Sequence, residues 1–295
     1  MQLRTLLVPV DFSPASKNAF QYAMHLAGMQ GGRLILFHAY VPGMLEPYMD
    51  FGMQTALLKQ QEALALQFFH QLEEEVPETL RGQFALEFKM QLGPAGDGIL
   101  EAAKELNPDL IVMGTRGGNL ITRKILGSTV NHVIHGGEVP VLIIPEEARF
   151  QGLRSLAYAT DYEEDDIRFI DEVLYFAKQQ EAKLSCIHIR KADNARDTYQ
   201  GDLLRRAYQH DLDQQHIEFQ TLIYPDVVEG LQHFSQWQQV DLLVMLTHRR
   251  SQVRQLFQRS HARDLALQTR VPLWVYPLKE PVKTPLDAVP DEYSL

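Results

Sequence analysis

The chain has one cysteine, Cys186, in 295 residues. A single thiol forms no internal disulfide, and without a CxxC pair a zinc finger or ribbon is excluded. Cys186 stands in Leu184-Ser185-Cys186-Ile187, an apolar run in which it reads as a small core residue. No stretch of 18 apolar residues occurs, so no segment is expected to span a membrane. The opening apolar run, Leu3 to Val10, is too short for a secretory leader and ends at Asp11. Basic side chains are in deficit, with 28 Lys and Arg against 38 Asp and Glu and a net charge of −10. The deficit is shared: residues 1–150 carry 11 basic and 16 acidic side chains, residues 151–295 carry 17 and 22. That sign does not favour DNA or an anionic membrane as a partner. What remains, 45% hydrophobic and 22% charged, is the profile of a globular protein of a reducing cytoplasm.

The main organisational feature is an internal repeat. Leu3-Arg4-Thr5-Leu6 is echoed by Leu153-Arg154-Ser155-Leu156, and at the same offset of 150 Asp11 matches Asp161 and His38 matches His188. Pro108-Asp109-Leu110-Ile111-Val112-Met113 matches Val240-Asp241-Leu242-Leu243-Val244-Met245 at an offset of 132. Val139-Pro140-Val141-Leu142-Ile143-Ile144-Pro145 matches Val271-Pro272-Leu273-Trp274-Val275-Tyr276-Pro277 at that same offset. Two domains of one fold are therefore expected, residues 1–146 and 152–278, followed by a flexible tail over 279–295 that holds three prolines and no sustained period.

Within the first copy, short apolar runs alternate with amphipathic stretches. Strands are expected at Leu6–Val10, Leu34–Ala39, Phe84–Gln91, Leu110–Met113 and Val141–Ile144. Helices are expected at Ser16–Gln30, about Gln54–Glu75, Ala95–Leu106 and Leu126–Gly136, with Ser13-Pro14 as cap and first residue of the first. Continuous apolar strands separated by helices specify a parallel sheet covered on both faces. This is a doubly wound, Rossmann-like fold whose crevice lies at the carboxyl ends of the strands.

After the fourth strand comes Gly114-Thr115-Arg116-Gly117, then nine residues, then Gly127-Ser128-Thr129. Gly114 and Gly117 allow tight bends and close approach of backbone to a ligand. Gly127-Ser128 opens a helix, whose unpaired amides and dipole favour an anion. Amides and hydroxyls so placed form a cradle for phosphates, though no lysine precedes Ser128 as in a Walker loop. The pattern G-x2-G-x9-G-[ST] after Val112-Met113-Gly114 resembles the nucleotide motif of the universal stress protein family. Leu7-Val8-Pro9-Val10-Asp11-Phe12-Ser13, Leu36-Phe37-His38 and Val139-Pro140-Val141-Leu142 resemble its first, second and last strands.

The resemblance implies two five-stranded parallel sheets of the adenine nucleotide alpha hydrolase-like kind. It also implies that the first copy binds ATP, or ADP or AMP, with Mg a further option through Asp11. By position, Pro9, Val10 and Asp11 would line the nucleotide, Ala39 would touch adenine, and Met113, Gly114 and Thr115 would flank the ribose and α-phosphate. Gly117, Gly127, Ser128 and Thr129 would hold the phosphates. The alternative reading of Asp11 is a cap of the following helix. His38 and His188 read as packing residues at strand ends.

The second copy departs from the motif: Gly114, Gly117 and Gly127 become Leu246, Arg249 and Arg259, and only Ser260 keeps its match to Ser128. It is expected to bind no nucleotide. Its arginines, Arg249, Arg250, Arg254, Arg259 and Arg263, read as a solvated basic surface or as an anion or partner site. The run from Met44 to Met53 is too apolar for an ordinary linker and is expected to pack on its own domain, over the adenine side, or on a partner. The last strands of the two copies, Val141–Ile144 and Leu273–Tyr276, are uncharged edges, so an internal pseudo-dimer through them is expected, with a homodimer left open. Function is expected to be nucleotide-dependent regulation of a stress response. A slow ATP-hydrolysing or nucleotidyl-transferring enzyme and a pure interaction module are the alternatives.

Overall fold

The computed structural model describes residues 2–41, 50–115, 127–162, 166–191, 195–247 and 271–277. The first half runs β1 (Thr5–Pro9), α1 (Pro14–Gln30), β2 (Arg33–Tyr40), α2 (Phe51–Glu74), β3 (Ala85–Leu92), α3 (Ala95–Leu106), β4 (Leu110–Gly114), α4 (Ser128–Gly136) and β5 (Val141–Ile144). The second runs β6 (Ser155–Ala159), α5 (Asp166–Gln179), β7 (Lys183–Arg190), α6 (Ala195–Ala207), α7 (Gln209–Asp213), β8 (Ile217–Ile223), α8 (Val227–Trp237), β9 (Leu242–Thr247) and β10 (Leu273–Pro277).

The ten strands of the described residues form one sheet in the order β3-β2-β1-β4-β5-β10-β9-β6-β7-β8. Pairing is parallel within each half, with Pro9 against Phe37 and Met113 against Ile143. The halves meet where β5 and β10 pair antiparallel, Val141 opposite Val275, Leu142 opposite Trp274 and Ile143 opposite Leu273. The expected internal pseudo-dimer is thus a continuous sheet. Because the join is antiparallel, the carboxyl ends of the two sets of strands lie on opposite margins of that sheet.

Local chemistry explains the elements that frame the crevice. Ser13 caps α1, its hydroxyl accepting from Ser16 N–H at 3.3 Å, with Pro14 in the first helical position. Asp50 caps α2, its carboxylate accepting from Met53 N–H at 3.0 Å. β1 buries Leu6, Leu7 and Val8 completely, as a strand covered on both faces must. Leu6, Val8, Val10 and Leu36 pack with α1 on one face, and Leu7, Ile35, Phe37 and Met113 with α3 and α4 on the other. The first of these cores continues without interruption into Leu156, Tyr158 and Trp274 of the second half.

The connection between the halves is pinned to α1. The buried Asn18 donates from Nδ2 to the carbonyls of Pro145 at 2.9 Å and Ala148 at 3.0 Å, while Arg149 Nη1 donates to Asn18 Oδ1 at 3.0 Å. Phe150 stacks on His25 and meets Tyr22 edge-on. Cys186 is buried in the core, and burial pushes its thiol well above the ordinary range.

Candidate functional site

In the order β3-β2-β1-β4-β5, successive connections reverse direction between β1 and β4, which is where a doubly wound sheet opens its crevice. Pro9, Val10 and Asp11 stand at the end of β1, and Gly114 and Thr115 at the end of β4. Thr115 is buried; its N–H donates to the Ile144 carbonyl at 3.1 Å, and its own carbonyl accepts from Gly127 N–H at 3.0 Å. That bond draws the start of α4 beside the end of β4. The first helical bond of α4 runs from Asn131 N–H to the Gly127 carbonyl at 3.1 Å. The amides of Ser128, Thr129 and Val130 lie ahead of it, and Gly127 brings no side chain to cap them. Among the described residues no cap side chain engages these amides, an arrangement suited to an anion. Gly117 falls outside the described residues, as do Arg249–Arg263 and Met44–Met49.

Apart from Gly117, the predicted residues can be placed one by one. Val10 and Met113 are core side chains on opposite faces of the sheet, 4% and 5% exposed. Val10 also has its backbone engaged, its N–H donating to the Phe37 carbonyl at 2.8 Å and its carbonyl accepting from His38 Nδ1 at 2.8 Å. A carbonyl only accepts, so His38 carries its proton on Nδ1. Asp11 is exposed, and its Oδ1 accepts from Ser13 N–H at 3.1 Å; the helix cap is Ser13, not Asp11. Ala39, in β2, faces α3: a Cβ built on Gly98 would lie 3.6 Å from the Ala39 Cβ. Ser128 is exposed and Thr129 half-buried on the first turn of α4.

The glycines differ in what they do. A Cβ on Gly114 would stand 2.6 Å from the Ala15 carbonyl oxygen, so this glycine lets α1 lie against β4. Among the described residues a Cβ on Gly127 would meet the Thr115 carbonyl oxygen, at 3.5 Å, and Val130, at 4.0 Å. Sequence reasoning treated both as serving a ligand; helix packing is the additional role of the first. It also passed over Phe12. This residue has φ 61°, a left-handed conformation costly for an aromatic, and its ring lies 4.6 Å from the His38 ring and 4.7 Å from that of Phe68. Tyr162 repeats the device, with φ 58° and its ring 4.5 Å from His188, whose Nδ1 bonds the Thr160 carbonyl at 2.8 Å. The signal was present in the offset of 150 that relates 12 to 162 and 38 to 188.

Beside the crevice, Tyr40 donates to Glu62 at 2.5 Å, a bond that pushes its phenol up to about 12. Among the described residues no group of three His, Cys, Asp or Glu converges to hold a metal. Two cavities outlined by described residues, of about 470 and 450 Å³, lie elsewhere, one lined by Arg4, Gln30 and Gln180 and the other by Glu74, Leu80 and Phe84.

The corresponding place in the second half is filled. Ala39 becomes Ile189, 4% exposed, and a Cβ on the glycine that repeats Gly98, Gly230, would stand 2.9 Å from its Cγ2. Gly114 becomes Leu246, 3% exposed. Thr160 and Tyr158 hydroxyls donate to the buried Asp166 at 2.6 and 2.7 Å, closing the strand end with an internal network.

Two such halves joined in one sheet define a tandem, doubly wound α/β protein. The model of the universal stress protein family matches it twice, over residues 2–145 and 153–277, and the chain belongs to that family. It is similar to a universal stress protein of Thermus aquaticus, 31% identical over 144 residues, which span 48% of this chain and 98% of that one. The universal stress protein Sll1388 of Synechocystis is 27% identical over 150 residues, 47% of this chain and 96% of that protein. A universal stress protein structure from Archaeoglobus fulgidus shares the fold along 94% of this chain and 97% of its own, with TM-score 0.68 and 15% identity. Among the described residues no helix is long and apolar enough to cross a membrane.

Proposed function

We propose that the protein binds one ATP, or a related adenine nucleotide, per chain in its first half, and acts as a regulatory binding protein of a stress response. The observation that carries this reading is the uncapped start of α4, tied to the end of β4 by the Gly127–Thr115 bond at the point where the sheet opens. Three amides there precede the helical ladder, and the helix dipole adds to their attraction for phosphate. Adenine would lie toward Ala39 at the end of β2, with Pro9 and Asp11 at the end of β1 beside the sugar. Gly117, Ser128 and Thr129 would complete the phosphate cradle, and a Mg ion bound with the nucleotide would be reached by Asp11. ADP and AMP satisfy the adenine side equally, so the number of phosphates is set at α4.

The second half would be structural. Ile189 against Gly230 occupies the adenine-side space, and Leu246 stands where Gly114 did. A site made of amides and hydroxyls holds phosphates in ground and transition states alike, which gives affinity without rate. Hydrolysis is therefore expected below about one turnover per minute, far under the usual enzyme range of roughly 1–10³ per second.

The test is mass analysis of small molecules released when the freshly purified protein is denatured, followed by a phosphate-release assay. An adenine nucleotide at up to one equivalent, with negligible release, is the expected result. Sustained fast turnover would move the protein to the enzyme class. A purified chain free of nucleotide that also fails to take up added ATP would leave the interaction module standing.

A further inference from the structure

α3 and α4 are locked together beside the crevice by a histidine and an acid that the motif does not include. His132 Nε2 lies 2.9 Å from Asp97 Oδ1, in the first turn of α3. The contact needs Gly96: a Cβ there would stand 2.6 Å from His132 Cδ2, so the imidazole rests directly on the α3 backbone. His132 follows Ser128 by four residues, which puts both on one face of α4. Helical side chains lean toward the N-terminus, so the imidazole covers the turn that begins at Ser128. Its side chain is 50% exposed, and that of Asp97 62%, so the pair forms a rim rather than a core contact.

From this geometry we infer that His132, held by Asp97, is a phosphate-side residue of the crevice: as an imidazolium it favours the phosphate chain and makes nucleotide affinity rise as pH falls. The inference rests on the nucleotide reading above. An anionic phosphate at the start of α4 would meet the Asp97 carboxylate on the α3 side. A protonated His132 between them offsets that repulsion and adds a cation one turn from the donors. The other titratable groups of the two helices are Glu101, Lys104 and Glu105 on α3 and His135 on α4. Glu101 is bonded by Gln91 and Glu105 by Lys89, both on β3, so Asp97 is the carboxylate that meets the ring.

The test is calorimetric binding of ATP and of AMP at pH 6.0 and 8.0 by the full chain, in the wild type and in His132→Gln. Protonation of ATP itself is common to both proteins, so the difference between them isolates the imidazole. The wild type should gain roughly fivefold or more in ATP affinity over the variant on acidification, with a smaller gain for AMP. Asp97→Asn serves as a second variant that keeps the helix contact while removing the charge, and it should tighten ATP at pH 8.0. Equal pH dependence in wild type and His132→Gln would overturn the inference and leave the nucleotide reading intact. Absence of ATP binding in the wild type at both pH values would overturn both.

Discussion

At the residue scale, the glycines of one motif separate by what a methyl group would strike. Gly114→Ala would press a Cβ into the Ala15 backbone, 2.6 Å from its carbonyl oxygen, at the start of α1. It should lower stability by about 1–3 kcal/mol, the usual cost of overpacking, read as a reduced denaturation midpoint. Gly127→Ala has ordinary contact distance at 3.5 Å and should melt within a degree or two of the wild type. The motif pattern revealed that glycines stand here but not that one of them serves helix packing, because that depends on α1, a hundred residues earlier in the chain. The same limit hid Phe12. Its aromatic identity is plain in the sequence, but its left-handed backbone and its stack on His38 emerge only when β1 and β2 are paired.

At the scale of elements, the boundaries set by local chemistry were legible. α3 spans Ala95–Leu106 and β5 spans Val141–Ile144, as the periodicity predicts, and Ser13-Pro14 starts α1. α2 begins at Phe51 rather than Gln54 because Asp50 caps it, and Phe51 and Met53 stay exposed instead of packing on their own domain. α4 begins at Ser128 rather than Leu126, since Gly127 is extended with ψ 142°. Cross-strand chemistry was not legible. Glu218 on β8 accepts from Lys183 Nζ and Ser185 Oγ of β7, both at 2.6 Å. Burial works against its charge, but the bonds from Lys183, Ser185 and Gln220 outweigh it and hold the carboxyl below the usual range. A depressed folded value means that the stabilisation is present above the unfolded value of ~4.3 and is lost as pH falls through the lower folded one. Glu218→Gln should therefore melt lower than the wild type at pH 7, and the two should converge as acidification protonates the folded carboxylate. Parallel melting curves across that range would show that the carboxylate contributes nothing.

At the scale of the molecule, the repeat made the two-fold architecture legible, and the lack of charge on the two last strands pointed to their pairing. Their register was not legible, because it depends on how Leu142 meets Trp274 across halves 132 residues out of step. Trp274 is buried to 2% exposure in a core that runs through both halves, and its ring packs on Phe176 and Tyr276. Trp274→Ala should cost about 3–5 kcal/mol. Since one sheet and one core cross the join, urea should unfold both halves in a single transition shifted to lower concentration. A transition that splits, with only one half affected, would show that the halves fold as independent units.

The central claim is that one half binds nucleotide and the other has closed the equivalent space. Titration calorimetry of the full chain with ATP tests it most directly, alongside Gly127→Arg, which places in the first half the side chain that the second already carries at Arg259. The account predicts one site per chain in the wild type and none in the variant, whose folded state is checked by its melting curve. Two sites per chain, or unchanged affinity in a folded Gly127→Arg, would contradict it.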